Sequence, residues 1–315
     1  MLVSAEKCMA DLRCPITHSR LTLSGDMLVP VETSLEEARS YPVHKGVPIV
    51  IDFEQSIVDR DWLLQADAAS SIERTSYTGL SYYLKRLLSP DHKSTHENVS
   101  KLKSNLLGRE APAKLLVIGG GSIGRALAPL YHAPEIDVYS FDIYASQTVQ
   151  FVADAHNLPF EDGFFDGVVI QAVLEHVLDP NRVVAEIRRV LKHDGMVFAE
   201  TPFIQHVHEG AYDFTRFTDS GHRYLFKGFE AVDTGVCGGP GVQLMWSADY
   251  FARSLFRSRT AGKVAKLLLS WAQFFDRFIP DSYARDAACG VYFLGTKTSK
   301  EIGPAEIVEY YRGAR

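Results

Sequence analysis

The chain has 315 residues, 46% apolar and 23% charged, enough for one large domain or two modest ones with a buried core. Its 39 acidic against 33 basic side chains leave a net charge of −6, the wrong sign for a dedicated nucleic-acid binder, and no apolar run reaches the roughly 18 residues of a membrane span. An opening without the layout of a signal peptide, and four scattered cysteines (Cys8, Cys14, Cys237, Cys289) that never form C-x-x-C, suit a reducing compartment, so a soluble, cytoplasmic protein is expected.

In chain order, residues 12–53 read as a small β-rich unit. SRLTLSGDMLVPV holds two short strands around Ser24-Gly25-Asp26, and YPVHKGVPIVID is a further apolar run punctuated by Gly46 and Pro48. Residues 56–107 read as polar and helical. In GLSYYLKRLLS the apolar Leu80, Tyr83, Leu84, Leu87 and Leu88 fall on one helix face, and SPDHKSTHEN is loop.

From Lys114 the pattern alternates between strand and helix. KLLVI, IDVYSFDI, VQFVADA, FDGVVIQAV and GMVFAETP are five strands, and GFEAVDTGV and CGVYFLGTK are candidate last ones. Between the fourth and fifth lies a well-signed helix: Asp179 caps it, Pro180 suits its first turn, Val183, Val184, Ile187, Val190 and Leu191 share a face, and Gly195 lies beyond its end. This spacing predicts an α/β fold with a doubly wound, mostly parallel, seven-stranded sheet. A helical insertion at about 247–277, carrying SLFRSRTAGKVAKLLLSWAQFFDRFI, is both basic and apolar. It reads as a lid or packing helix, with a membrane-surface or partner helix as the alternative.

The stretch LLVIGGGSIGRAL spells G-x-G-x-x-G through Gly119, Gly121 and Gly124, after a strand and before an expected helix. Such a loop lets backbone approach an adenosine-bearing cofactor closely. Asp142 ends the second strand about 20 residues on, where a carboxylate accepts ribose hydroxyls. Nicotinamide dinucleotides and S-adenosylmethionine both carry that ribose, so this much leaves both open.

The succession VADAHNLPFEDGFFDGVVIQAVLEHVLDPNRVVAEIRRVLKHDGMVFAETP resembles the middle of the class I S-adenosylmethionine-dependent methyltransferases, in the group acting on small molecules and glycans, with the resemblance covering about 112–226. It implies that S-adenosyl-L-methionine is held by Gly119, Gly120, Gly121 and Ser122, by Asp142 and Ile143, by Asp154 and Ala155 at the adenine, and by Gln171. Val117 stands where the family carries an acidic residue, and Ile123 interrupts its G-x-G-x-G. PFIQHVHEGAYDFTRFTDSGHRYLF resembles a P-F…H…D-F-x-R-F-T…G segment found in a subset of these enzymes. His208, Tyr212, Asp213, Arg216 and Thr218 match it, and Tyr212, Arg216 and Thr218 are expected at the acceptor. A hydroxyl or amine acceptor calls for a general base. His176 and His208 are the candidates, with Asp213 third, and a structural hydrogen-bonding role stands beside each histidine. No metal-ligand spacing stands out, so no metal is expected.

LRCPITHSRL…YPVHKGVPIVID resembles the zinc-knuckle domain of the activators of tRNA and translation-factor methyltransferases, through Cys14, Pro15 and Leu21, then Tyr41, Pro42, Val43, Gly46 and Pro48. Thr17 replaces the second cysteine, so the knuckle is expected to keep its fold and lose its metal. The implied organisation is 1–55 knuckle-like module, 56–111 helical linker or cap, 112–300 methyltransferase domain, and 301–315 tail. The function expected is methyl transfer to a small-molecule or glycan-type acceptor, on oxygen or nitrogen, in a chain compatible with a homo-oligomer. The alternatives are a catalytically silent cofactor-binding or scaffolding partner and an NAD(P)-dependent oxidoreductase.

Overall fold

Alternating side chains along the central strands have two apolar faces to hide, and helices cover both. The computed structural model describes residues 1–31, 39–65, 79 and 87–314. On β5 (Ala113–Ile118), Leu116 and Ile118 enter a core shared with Val183, Val184 and Ile187 of the Pro180–Val190 helix. Leu115 and Val117 point the other way, against Val99, Leu102 and Leu106 of the Lys93–Leu107 helix. Period two in the strand and helices on either side make the doubly wound arrangement. The Pro180–Val190 helix begins as its sequence signals, with the Asp179 side chain accepting from the Arg182 amide.

The other strands are β1 (Leu21–Ser24), β2 (Met27–Pro30), β3 (Tyr41–His44), β4 (Val47–Val50), β6 (Ile136–Asp142), β7 (Phe151–Ala153), β8 (Phe165–Gln171), β9 (Leu191–Pro202), β10 (Phe229–Cys237) and β11 (Gly290–Lys297). Among the described residues they form one sheet in the order β1-β2-β3-β4-β7-β6-β5-β8-β9-β11-β10. Of the seven strands from β5 onward, β7, β6, β5, β8 and β9 run parallel, and β11 is antiparallel to both of its neighbours, β9 and β10, so that β10 points the same way as the parallel run. A seven-stranded sheet therefore undercounts it. Ile49 and Val50 of β4 pair in parallel with Val152 and Ala153 of β7, so the N-terminal strands extend the sheet and cover an edge that would otherwise be open. YPVHKGVPIVID is two strands rather than one run, because Lys45 and Gly46 take φ of 50° and 82° and turn the chain back.

The N-terminal segment shares the central core. Cys8, Leu12, Cys14 and Tyr41 are buried together with Phe141, Phe151, Phe160 and Phe165. The Tyr139 hydroxyl donates to Asp11 at 2.6 Å, and the Arg13 amide donates to Pro159 O at 2.9 Å. Cys14 Sγ lies 3.2 Å from the Tyr41 hydroxyl.

Two further expectations shift. The glycine loop does not open a helix: turns occupy 119–127, and the helix after β5 is the single turn Ala128–Tyr131. The helical insertion between β10 and β11 opens at Pro240, with helices Pro240–Phe256 and Arg259–Leu268 and a 3-10 segment Ser270–Phe278. It leaves Phe251, Phe256, Leu268, Trp271 and Phe278 exposed. Most of the GLSYYLKRLLS helix lies outside the described residues. No helix among the described residues is long and apolar enough to cross a membrane.

Because Leu12 is fully buried in the core it shares with β6 and β7, Leu12→Ala is expected to remove about 2–5 kcal/mol from global stability. Urea unfolding followed by fluorescence and by far-UV dichroism should show one transition moved as a whole. Two transitions, with only the smaller displaced, would mean that the N-terminal strands fold as a separate unit.

Candidate functional site

Parallel strands leave a crevice at their carboxyl ends, and here β5, β6, β7 and β8 all end at one cavity of about 870 Å³. Gly119 carries φ +78°, and a Cβ there would run into Val173 Cγ2. A Cβ at Gly120 would strike Ser140. Backbone is thus brought right up to the sheet at the cavity edge, which only glycine permits. Gly124 has open space around it and an ordinary backbone, so the third glycine of the fingerprint answers no steric demand.

Asp142 lines the cavity, with Oδ2 accepting from the Gly121 amide at 2.9 Å and Oδ1 from the Ile143 amide at 2.8 Å. Two backbone donors fix the carboxylate across the mouth of the glycine loop. Asp154 follows β7. Its Oδ1 accepts from the amide and ring Nδ1 of His156 at 2.9 and 2.6 Å, and Oδ2 accepts from Ser56 at 2.5 Å. Burial alone would raise its pKa, but these bonds hold it below the usual carboxylate range. His156 in turn accepts the Asp179 amide on Nε2 at 3.1 Å, so its ring ties β7 to the start of a helix. Ile57, Val58, Asp59 and Trp62 form a wall of the cavity from the segment after β4, a contribution that no motif announces.

At the end of β8, Gln171 donates to the buried Glu200, which also accepts from Thr95 at 2.6 Å. Ala172 then takes φ 53°, a left-handed conformation that is unfavourable for alanine. Its amide is anchored on Glu200 O at 3.0 Å, and the chain leaves the sheet into the short 3-10 turn Leu174–His176. The segment after β9 docks on that turn. The amides of Phe214 and Thr215 donate to Glu175 O at 2.8 and 3.3 Å, and His176 Nδ1 donates to Tyr212 O at 2.6 Å. The structure therefore brings together Gly119, Ser122, Asp142, Ile143, Asp154, Ala155, Gln171, His176 and Tyr212 around one space, with Glu209 and Ala211 beside them.

The remaining candidates serve other ends. Gly120 and Gly121 lie behind the loop surface, bonded to Phe141 O and to Asp142. Arg216 binds both oxygens of Asp213 and the carbonyls of Gln205, Thr215 and His206. The Asp213 side chain is 1% exposed, and burial is outweighed by Arg216 and the His208 amide, so its carboxyl sits well below the usual range. Such a carboxylate is a loop strut rather than the general base expected, and Arg216 is its counter-ion rather than an acceptor ligand. Thr218 Oγ1 accepts from the Gly221 amide at 3.1 Å and caps the Asp219–Leu225 helix. His208 stands outside the cavity lining, its ring 5.1 Å from that of His176.

Glu175 escapes a reading of sequence candidates, although it is adjacent to His176. Its side chain is 1% exposed, and neither carboxylate oxygen has a hydrogen-bond partner among the described residues. Burial pushes its pKa up to about 8. Burial also pulls His176 below the usual imidazole value.

Residues 116–199 match a family described as a methyltransferase domain. Over 51 residues the chain is 43% identical to an uncharacterized 37.1 kDa protein in transposon TN4556 of Streptomyces fradiae, a match that spans 16% of this chain and 15% of that protein. Among solved structures, a phosphoethanolamine N-methyltransferase 2 of Haemonchus contortus in complex with S-adenosyl-L-methionine aligns at TM-score 0.43 and 15% identity, covering 89% of this chain and 71% of that one. A SAM-dependent methyltransferase from Archaeoglobus fulgidus aligns at TM-score 0.41 and 14% identity, covering 70% and 100%. The glycine cradle and the Asp142 carboxylate fit the adenosyl group of the cofactor that this domain takes. Residues 116–199 thus carry a methyltransferase domain, for which S-adenosylmethionine is the cofactor, and the nicotinamide alternative is set aside.

Proposed function

We propose that this enzyme methylates an oxygen or nitrogen of a small-molecule or glycan-type acceptor. The observation that carries the reading is the continuity of the cavity: one space of about 870 Å³ runs from Gly119 past Asp142 and Asp154 to His176 and Tyr212. Drug-sized ligands occupy pockets of about 300–1,000 Å³, so the upper end of that range leaves room for an acceptor beside the cofactor. Bound S-adenosylmethionine supplies an electrophilic methyl group on its sulfonium.

In this reading Asp142 takes the ribose hydroxyls, Asp154 and the Ala155 amide take the adenine, and Gly119 to Ser122, Ile143 and Gln171 complete the cradle. His176 and Tyr212 face the acceptor. The Nδ1 proton of His176 is committed to Tyr212 O, which leaves Nε2 as the atom that meets a ligand, whether to accept a proton or to orient the acceptor. Positioning carries most of the rate in a displacement of this kind, because charge is dispersed rather than created at the reacting centre. Exclusion of water falls to Trp62 and Val58 on one side and to the 205–217 loop on the other.

Calorimetric titration of the full chain with S-adenosylhomocysteine tests the cofactor half. Removing a charge-assisted hydrogen bond costs about 1.5–3 kcal/mol, so Asp142→Ala is expected to weaken binding roughly 10- to 100-fold. Unchanged affinity would remove Asp142 from the ribose site.

The loop makes a second, separable prediction. Breaking a buried ion pair from one side costs about 3–5 kcal/mol, so Arg216→Ala, which strands Asp213, is expected to lose about that much stability. Thr218→Ala is expected to lose about 1 kcal/mol as a missing helix cap. S-Adenosylhomocysteine affinity should stay at the wild-type value in both. A stable Arg216→Ala protein would return Arg216 to the acceptor as a direct ligand.

A further inference from the structure

The loop after β9 and the turn after β8 place three electron-pair donors face to face. Glu175 Oε1 lies 3.6 Å from His176 Nε2 and 3.8 Å from His208 Nε2, and the three ligand atoms lie within 4.8 Å of one another. The tautomers follow from what the far side of each ring touches. His176 Nδ1 is 2.6 Å from a backbone carbonyl, Tyr212 O, which only accepts, so the proton is on Nδ1. His208 Nδ1 faces two acceptors, His206 O and Asp213 Oδ2, both at 3.3 Å, and carries its proton for the same reason. Both Nε2 atoms therefore present lone pairs to a carboxylate that is itself buried and without a hydrogen-bond partner among the described residues.

Lone pairs turned toward one space favour a positive occupant there. A proton is a poor occupant, because it bridges two heavy atoms at about 2.7–3.2 Å, shorter than either Glu175–histidine separation. A metal ion fits better. With bonds of about 2.1 Å to nitrogen and oxygen, tetrahedral ligand atoms stand about 3.4 Å apart, close to the two Glu175–histidine separations of 3.6 and 3.8 Å. Metal-binding histidines characteristically donate their other ring N–H to a carbonyl or carboxylate, which fixes the tautomer and strengthens the ligand. His176 with Tyr212 O, and His208 with His206 O and the Asp213 carboxylate beside it, have that arrangement already. Arg216 in turn holds Asp213 in place.

We propose that Glu175, His176 and His208 form a binding site for one divalent transition-metal ion. Two imidazoles and one carboxylate suit Zn²⁺, Fe²⁺ or Mn²⁺ better than the all-oxygen preferences of Ca²⁺ or Mg²⁺. Three protein ligands leave coordination open, as in catalytic rather than structural sites. His176 lines the cavity, so the open positions are available to a ligand oxygen or nitrogen there, and with the ion bound His176 Nε2 is a metal ligand and no longer a proton acceptor. That this ligand is the methyl acceptor rests on the methyl-transfer reading, whereas the metal site itself does not. The 32 residues between Glu175 and His208 hide the set from any spacing rule, which is why the sequence points to no metal.

The test uses the full chain, stripped with a chelator and then titrated with Zn²⁺ by calorimetry and with Co²⁺ by visible absorption. One ion per chain is expected, with Co²⁺ bands of a low-coordinate nitrogen and oxygen site. Glu175→Gln, which keeps the shape, and His208→Ala, on a partly exposed loop, should each weaken Zn²⁺ by more than the roughly 10–100-fold that follows loss of an outer partner. Asp213→Asn should fall within that 10–100-fold range. Cys14→Ala controls for the N-terminal thiols and should bind normally. The proposal is overturned by absence of stoichiometric binding, by binding that survives both ligand variants, or by binding abolished in a folded Cys14→Ala protein. S-Adenosylhomocysteine titration of the same samples reads the methyltransferase assignment separately: cofactor binding without metal binding sinks only the metal site.

Discussion

The architecture of the site depends on one carbonyl. Glu175 O accepts the amides of both Phe214 and Thr215, and in doing so locks the segment after β9 onto the turn after β8. Every element at that end of the cavity inherits its position from this clamp. It places Tyr212 O where His176 Nδ1 reaches it, it brings His208 beside His176, and it buries Asp213 so that Arg216 must neutralise it. Two backbone hydrogen bonds are each worth only about 0.5–1.5 kcal/mol net. Their effect is larger than that sum because the side-chain network closes only once the two segments are in register.

Upstream of the clamp, backbone geometry rather than side-chain chemistry does the aiming. Ala172, in a left-handed conformation, lets the chain step off β8, and its amide is held by Glu200 O. Gly119, opposite, takes a positive φ and has no space for a side chain against Val173. The two close approaches bring the ends of β5 and β8 together at the cavity floor. Glu200 is buried, and burial lifts its pKa to about 7 even as Thr95 and Gln171 bond to it. It anchors the exit of β8 from beneath and does not face the cavity.

The N-terminal strands tie the site to the rest of the core. β4 pairs with β7, and the segment that follows it carries Ser56 to Asp154 and Val58 and Trp62 to the cavity wall. The adenine end expected at Asp154 is therefore framed by residues about a hundred positions upstream. The N-terminal segment is itself held by burial of Cys14, Leu12 and Tyr41 in the central core and by sheet extension.

How much of this was legible in one dimension follows from the range of each interaction. Strands β5 to β11, the Pro180–Val190 helix and the glycine loop are written in local periodicity and capping, since side chains two, three or four positions apart decide them. Asp142 and Asp154 reach the cavity because parallel strands deliver the residues at their carboxyl ends to the same edge. The sequence by itself thus determined a doubly wound sheet and a nucleoside-type cofactor at its carboxyl end. Only the tertiary structure decided that Asp213, Arg216 and Thr218 hold a loop and a helix, that residues 57–62 wall the cavity, and that Glu175 meets His176 and His208. Those outcomes turn on which buried charge finds which partner, and the partners come from separate loops whose approach is set by packing of the whole sheet, which no local pattern encodes.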